Sequence, residues 1–104
     1  ALAREAEAIR RALPRGALFC VLTPEGRQLS SEELAAQLGQ WKQRYPGAVF
    51  LLGSSFGIDP ALKAEAAFRL SMSRMTFPHH LARVMLLEQL YRAENIQAGG
   101  KYHK

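Results

Sequence analysis

The apolar positions of this chain change period several times, and each change marks an element. Leu2, Ala6, Ile9 and Leu13 recur at helical spacing, with Arg4, Glu7, Arg10 and Arg11 mostly elsewhere on the turn, so the chain opens as an amphipathic helix. Pro14 and Gly16 end it. Residues 17–22 (ALFCVL) form an unbroken apolar run, which predicts a strand buried on both faces. Residues 23–29 hold Pro24 and Gly26 and read as a turn-rich loop. Ser30 and Glu33 then make a capping box. Leu34, Leu38 and Trp41 follow on one helical stripe, which puts Trp41 in a core rather than on a surface. Pro46-Gly47 closes that helix, and residues 48–52 (AVFLL) read as a second buried strand. A strand, a helix and a strand, with both strands buried, predict a parallel pair joined by a right-handed crossover.

The next loop, GSSFGIDP, is bracketed by Gly53 and Gly57 and ends in a cap and helix-first proline, Asp59-Pro60. Ligands collect at the C-terminal ends of strands in open α/β sheets, and a glycine lets backbone N–H groups approach them. A plain strand-to-helix turn fits the spacing equally well. The loop is neither a dinucleotide fingerprint nor a Walker-type phosphate loop. Residues 61–68 read as a short helix, and Leu70, Met72, Met75 and Phe77 alternate loosely, as a short strand plus loop. Pro78 suits the first turn of a final helix. Leu81, Val84, Met85, Leu87 and Leu90 give it a dense apolar face, Arg83, Glu88 and Arg92 fall between, and Gly99-Gly100 stops it. The tail carries Tyr102, His103 and Lys104. It is either a frayed, solvated end or a strap that brings polar groups to a site.

Composition narrows the function classes. A chain of 104 residues is one domain at most. Its formal charge of +5 is compatible with a nucleic-acid partner. No run is long enough to span a membrane, and no leader of the secretory kind stands at the start, so a cytoplasmic home is expected. The single Cys20 lies in the first strand run and reads as a buried free thiol. His79, His80 and His103 lack Cys or carboxylate partners at metal spacing, so no metal site is expected. A nucleophile elbow and a glycosidase-type carboxylate pair are both missing. His79 and His80 are neighbours on the first helical turn and point in different directions, so at most one faces a site.

The block SMSRMTFPHHLARVMLLEQLYRA and the terminal YHK resemble the RlmH (YbeA-type) family of SPOUT methyltransferases, and the resemblance extends over essentially the whole chain. It implies an α/β SPOUT fold: a mostly parallel sheet flanked by helices, with a C-terminal trefoil knot, a rare exception to unknotted chains. The family has a strand, a helix and a strand ahead of the matched region, so residues 1–104 are expected to be a single, N-terminally incomplete domain. The implied activity is transfer of a methyl group from S-adenosylmethionine to N3 of a pseudouridine in large-subunit ribosomal RNA. By resemblance, backbone groups of three loops hold the bent donor: Leu22, Gly53, and Met72, Ser73, Arg74, Met75, Thr76 and Phe77. His79, Tyr102 and His103 match family positions near the site, with His103 or His79 as base or orienter and Tyr102 positioning the base ring. Arg92 or Lys104 would hold phosphate or stabilise the anion. Family members are homodimers whose sites are completed at the interface, and residues 78–96 would form that face or merely cover their own sheet. Three departures stand out: Gly53-Ser54 where the family has adjacent glycines, Lys101 where a proline is common, and Glu94 where an aromatic is common. The rival reading is a non-catalytic SPOUT homologue that binds RNA or the ribosome.

Overall fold

A computed structural model describes residues 2–53 and 57–103. The elements in order are α1 (Leu2–Ala12), β1 (Leu18–Gln28), α2 (Ser31–Arg44), β2 (Ala48–Leu52), α3 (Pro60–Glu65), β3 (Phe68–Ser71) and α4 (His79–Gln97). The strands form one parallel sheet in the order β2-β1-β3. Leu18 pairs with Ala48 and Leu22 with Leu52 at the two ends of the β1–β2 register.

The unbroken apolar run of β1 is explained by what covers it. Side chains alternate across a strand. Leu18 and Cys20 face a core made with Leu34, Ala35, Leu38 and Trp41 of α2 and Leu86 and Ala93 of α4. Phe19 and Val21 face the other way, onto Ala6 of α1 and Leu62 of α3, with Ile9 and Leu13 packed alongside. The central strand is therefore sandwiched between two helical layers. Trp41 sits edge-on to Phe50 and Phe68, with ring centroids 6.4 and 5.3 Å away. Cys20 is a buried free thiol, and burial pushes its pKa up to about 12.

The local punctuation acts where expected at most boundaries. Ser30 and Glu33 close a reciprocal capping box on α2. The Asp59 carboxylate accepts from the N–H groups of Ala61 and Leu62, with Pro60 at the first turn of α3. Gly16 and Gly99 both take positive φ where α1 and α4 end. Ser54 lies outside the described residues.

Three boundaries differ from the sequence expectation. Strand β1 does not stop at Leu22 but resumes beyond an irregularity, and Leu70 pairs with both Leu22 and Arg27. Residues 23–26 bow out between those two pairings, so Pro24 and Gly26 shape a bulge within the strand rather than a loop after it. Helix α3 ends at Glu65, three residues before Phe68, because Phe68 is already paired with Cys20. In α4 the apolar residues divide between two faces. Leu86 and Ala93, with Leu90, pack inward, whereas Leu81, Val84, Leu87 and Tyr91 are roughly half exposed or more.

Candidate functional site

All three parallel strands deliver their chain to one place. Leu22, Leu52 and Ser71 stand at the ends of the β1–β2 pairing and of β3, and the loops that follow surround a cavity of about 420 Å³. Its walls include Leu22, Thr23, Pro24 and Glu25 from the bulge of β1, and Leu52, Gly53, Gly57 and Ile58 after β2. Met72, Ser73, Met75, Thr76, Phe77 and Pro78 follow from β3, and His79 and Ala82 from the start of α4. That volume lies within the range of small-molecule sites.

The third loop is held by short polar contacts. The Ser71 hydroxyl, buried, lies 3.0 Å from the carbonyl oxygens of both Pro24 and Ser73. The Met75 N–H donates to the Ser73 hydroxyl at 3.0 Å, a local turn that folds residues 72–77 over the cavity. Gly53 matters through space rather than φ. A Cβ there would stand 3.0 Å from Ile58 Cγ1 and 3.4 Å from the Gly57 carbonyl carbon, in a loop already closely folded on itself.

Of the residues singled out from the sequence, Leu22, Gly53, Met72, Ser73, Met75, Thr76, Phe77 and His79 meet at this cavity. Arg74 belongs to the same loop but is not on the wall. His80 is not on the wall either; its ring lies 4.3 Å from that of His79.

Tyr102, His103 and Arg92 come together elsewhere, around Glu88. The Arg92 guanidinium bonds Glu88 at 2.8 Å, and the Tyr102 hydroxyl donates to the same carboxylate at 2.7 Å. Both hold the Glu88 carboxyl below its usual range, Arg92 most strongly, and Glu88 in turn raises the Tyr102 phenol. Arg92 also lies over the Tyr102 ring, 4.8 Å from its centroid, and Tyr91 meets that ring edge-on. Arg92 Nη1 stands 3.0 Å from His103 Nδ1, and His103 Nε2 stands 2.9 Å from a Glu32 oxygen at the first turn of α2. Arginine is always a donor, so Nδ1 accepts and Nε2 carries the proton toward Glu32, which fixes one neutral tautomer. The tail is thus strapped to α4 and α2. Lys104 lies outside the described residues.

The sequence did not single out Glu25 and Lys63, which pair at the cavity, or Glu32 and Glu88, which hold the tail. Each is an ordinary helix or loop charge by position, and each finds its role through a partner far along the chain.

Comparison with known proteins gives the family of the chain. The family described as predicted SPOUT methyltransferase matches residues 1–103. The chain belongs to the SPOUT methyltransferases. Among curated relatives, the ribosomal RNA large subunit methyltransferase H of Roseobacter denitrificans is 50% identical over 99% of this chain and 67% of its own length. The protein of the same name from Dinoroseobacter shibae is 48% identical over 98% of the chain and 66% of its own length. That from a Synechococcus strain is 51% identical over 98% and 68%. The chain spans about two thirds of the length of the curated relatives it matches. SPOUT membership accounts for the parallel sheet flanked by helices and implies a trefoil knot at its C-terminal end. Among the described residues, no helix is long and apolar enough to cross a membrane.

Proposed function

We propose that this protein is an S-adenosylmethionine-dependent methyltransferase acting on N3 of a pseudouridine in large-subunit ribosomal RNA, as a cytoplasmic homodimer. The observation that carries the reading is the cavity. It is lined by the three loops that the family resemblance assigns to the donor, it has adenosine-compatible volume, and its walls combine apolar side chains with loop backbone and a few polar groups. Leu22, Leu52, Ile58, Met72 and Phe77 suit the faces of an adenine, and Gly53 keeps open the cradle that a Cβ would narrow. The residues present therefore fit the donor. Bound there, S-adenosylmethionine supplies an electrophilic methyl group on a sulfonium.

The protein's own part is to hold the nucleobase and take the N3 proton. His79 lines the cavity, and among the described residues neither of its ring nitrogens is hydrogen-bonded, so it is free to accept that proton. His103 has both ring nitrogens engaged, by Arg92 and Glu32, which suits an orienting role. Tyr102 gives its single hydroxyl proton to Glu88, which fixes its ring beside Arg92 to position the base. Arg92, beside it, offers positive charge to an N3 anion or a phosphate. The apolar stripe of Leu81, Val84, Leu87 and Tyr91 is the surface we assign to the second copy.

Calorimetric titration of S-adenosylmethionine, followed by methyl transfer into large-subunit RNA, tests the reading. Saturable binding and base-specific transfer are expected. A folded protein that ignores the donor but binds ribosomes in a salt-sensitive way would overturn it in favour of a non-catalytic RNA-binding homologue.

A further inference from the structure

The cavity has one feature that methyl transfer itself does not call for, a pair of opposite charges on its wall. Lys63 Nζ donates to Glu25 Oε1 at 2.6 Å. Glu25 sits on the bulge of β1 and Lys63 on α3, 38 positions apart, and both line the cavity. The Lys63 ammonium, and then the Thr23 hydroxyl, hold the Glu25 carboxyl down at about 2. Among the described residues, the rest of the wall is apolar side chain and loop backbone apart from the hydroxyls of Thr23, Ser73 and Thr76 and the His79 ring.

We propose that Glu25 and Lys63 form the subsite for the amino-acid end of the methyl donor, Glu25 taking the α-ammonium and Lys63 the α-carboxylate. This rests on the donor-binding reading above and adds a residue-level specificity to it. The argument is one of charge matching. The donor's nucleoside is satisfied by apolar walls and backbone groups, but its other end is a zwitterion, which an apolar wall would desolvate without return. A carboxylate and an ammonium already side by side are the mirror of that zwitterion. In the empty cavity they neutralise each other. When the ligand enters, one ion pair is exchanged for two of the same kind, so no charge is left unpartnered. The competing account, a clasp that merely pins α3 to the bulge of β1, is a surface ion pair of the kind that contributes little, and it gives no reason for the pair to stand on the cavity wall.

Two ligands separate these accounts. S-adenosylhomocysteine carries the amino-acid end, and methylthioadenosine has the same nucleoside thioether without it. Calorimetry would measure both against the wild-type protein, Glu25→Gln and Lys63→Met. The wild type should prefer S-adenosylhomocysteine by about tenfold or more, the scale of a charge-assisted hydrogen bond. Each variant should lose most of that preference, with methylthioadenosine affinity held within about twofold. Variants that keep the wild-type preference would overturn the proposal. So would variants that lose affinity for both ligands alike, the behaviour of a clasp. Failure of the wild type to bind either ligand would instead overturn the donor-binding reading itself, and the subsite with it.

Discussion

Gly26 offers the sharpest test of how the cavity is built. It lies on the bulge of β1, against the backbone of β3. A Cβ at this position would stand 2.7 Å from the Arg69 oxygen, 2.8 Å from the Arg69 carbonyl carbon and 2.9 Å from the Leu70 carbonyl carbon. All three are main-chain atoms, so no rotamer change relieves the contact. Nor can β3 slide away cheaply, because Leu70 is paired with β1 on both sides of the bulge and Phe68 with Cys20. Gly26→Ala should therefore be an overpacking substitution costing about 1–3 kcal/mol. Loss of chain entropy in the unfolded state offsets about 0.4–1 kcal/mol of that. The net expectation is a destabilisation of about 1–2 kcal/mol. Gly47→Ala is the control, since nothing lies within 4 Å of its Cβ and neither glycine has a positive φ. It should be neutral or slightly stabilising. Urea unfolding followed by circular dichroism reads both. Because residues 72–77 leave directly from β3, donor affinity should fall with Gly26→Ala and not with Gly47→Ala. Equal urea midpoints for the two variants would refute the close passage of the bulge over β3.

Three further outcomes follow from the structure. Cys20, with its thiol pushed up to about 12 by burial, should resist a disulfide reagent in the folded protein and react only on unfolding; rapid labelling under native conditions would contradict its place in the core. Leu87→Ala removes a side chain that is 55% exposed in the single chain, so it should leave the fold intact while weakening self-association in sedimentation; an unchanged dimer would exclude this face. Glu88 and Glu32 both have depressed carboxyl pKa values, through Arg92 and Tyr102 for the first and His103 for the second. Depressed values mean that their contribution is present above the ordinary carboxylate range and is lost as pH falls below it. Protection of the Tyr102 amide, its exchange rate relative to the unfolded chain at the same pH, should accordingly fall as pH drops below the ordinary carboxylate range, and protection that does not change with pH would show that the strap does not depend on these charges.

Much of the architecture was legible because local pattern and long-range burial agree. Every residue of the first strand run is apolar, and both faces are covered. The capping box at Ser30 and the stripe ending at Trp41 are contained within a few turns. The bulge of β1 was not legible, because Pro24 and Gly26 read as punctuation and only the distant β3 explains why the strand resumes after them. Helix α4 was legible as a helix but not as two-faced. Its apolar residues are too many for one stripe, and no local rule says which of them, Leu86 or Leu87, turns inward. Of the site, the three loops that line the cavity could be named in advance from the family resemblance, whereas the Glu25–Lys63 and Glu32–His103 contacts could not. Their partners are 38 and 71 positions apart, and each charge alone is what any solvated surface would carry.

The separation of the cavity from the strapped tail bears on why the site would need two copies. His79 opens α4 and lines the cavity, while Glu88, which anchors Tyr102, lies nine positions further along the same helix. At 1.5 Å per residue that is about 13 Å, more than the width of one nucleobase. Within one chain, the donor cavity and the tail would not meet the same base. Two copies facing each other through Leu81, Val84, Leu87 and Tyr91, with α4 helices antiparallel about a two-fold axis, would bring the tail end of one helix to the cavity end of the other. Complementation tests this. A Gly53→Val chain, with its cavity obstructed, and a Tyr102→Phe, His103→Ala chain should each be inactive alone. Unfolded together and refolded at equal concentration, they should pair at random, so that half of the dimers are mixed. Each mixed dimer then holds one cavity and one tail that are both intact and that face each other, restoring about a quarter of wild-type methyl transfer. Were cavity and tail to serve the same base within one chain, the mixture would stay as inactive as its parts.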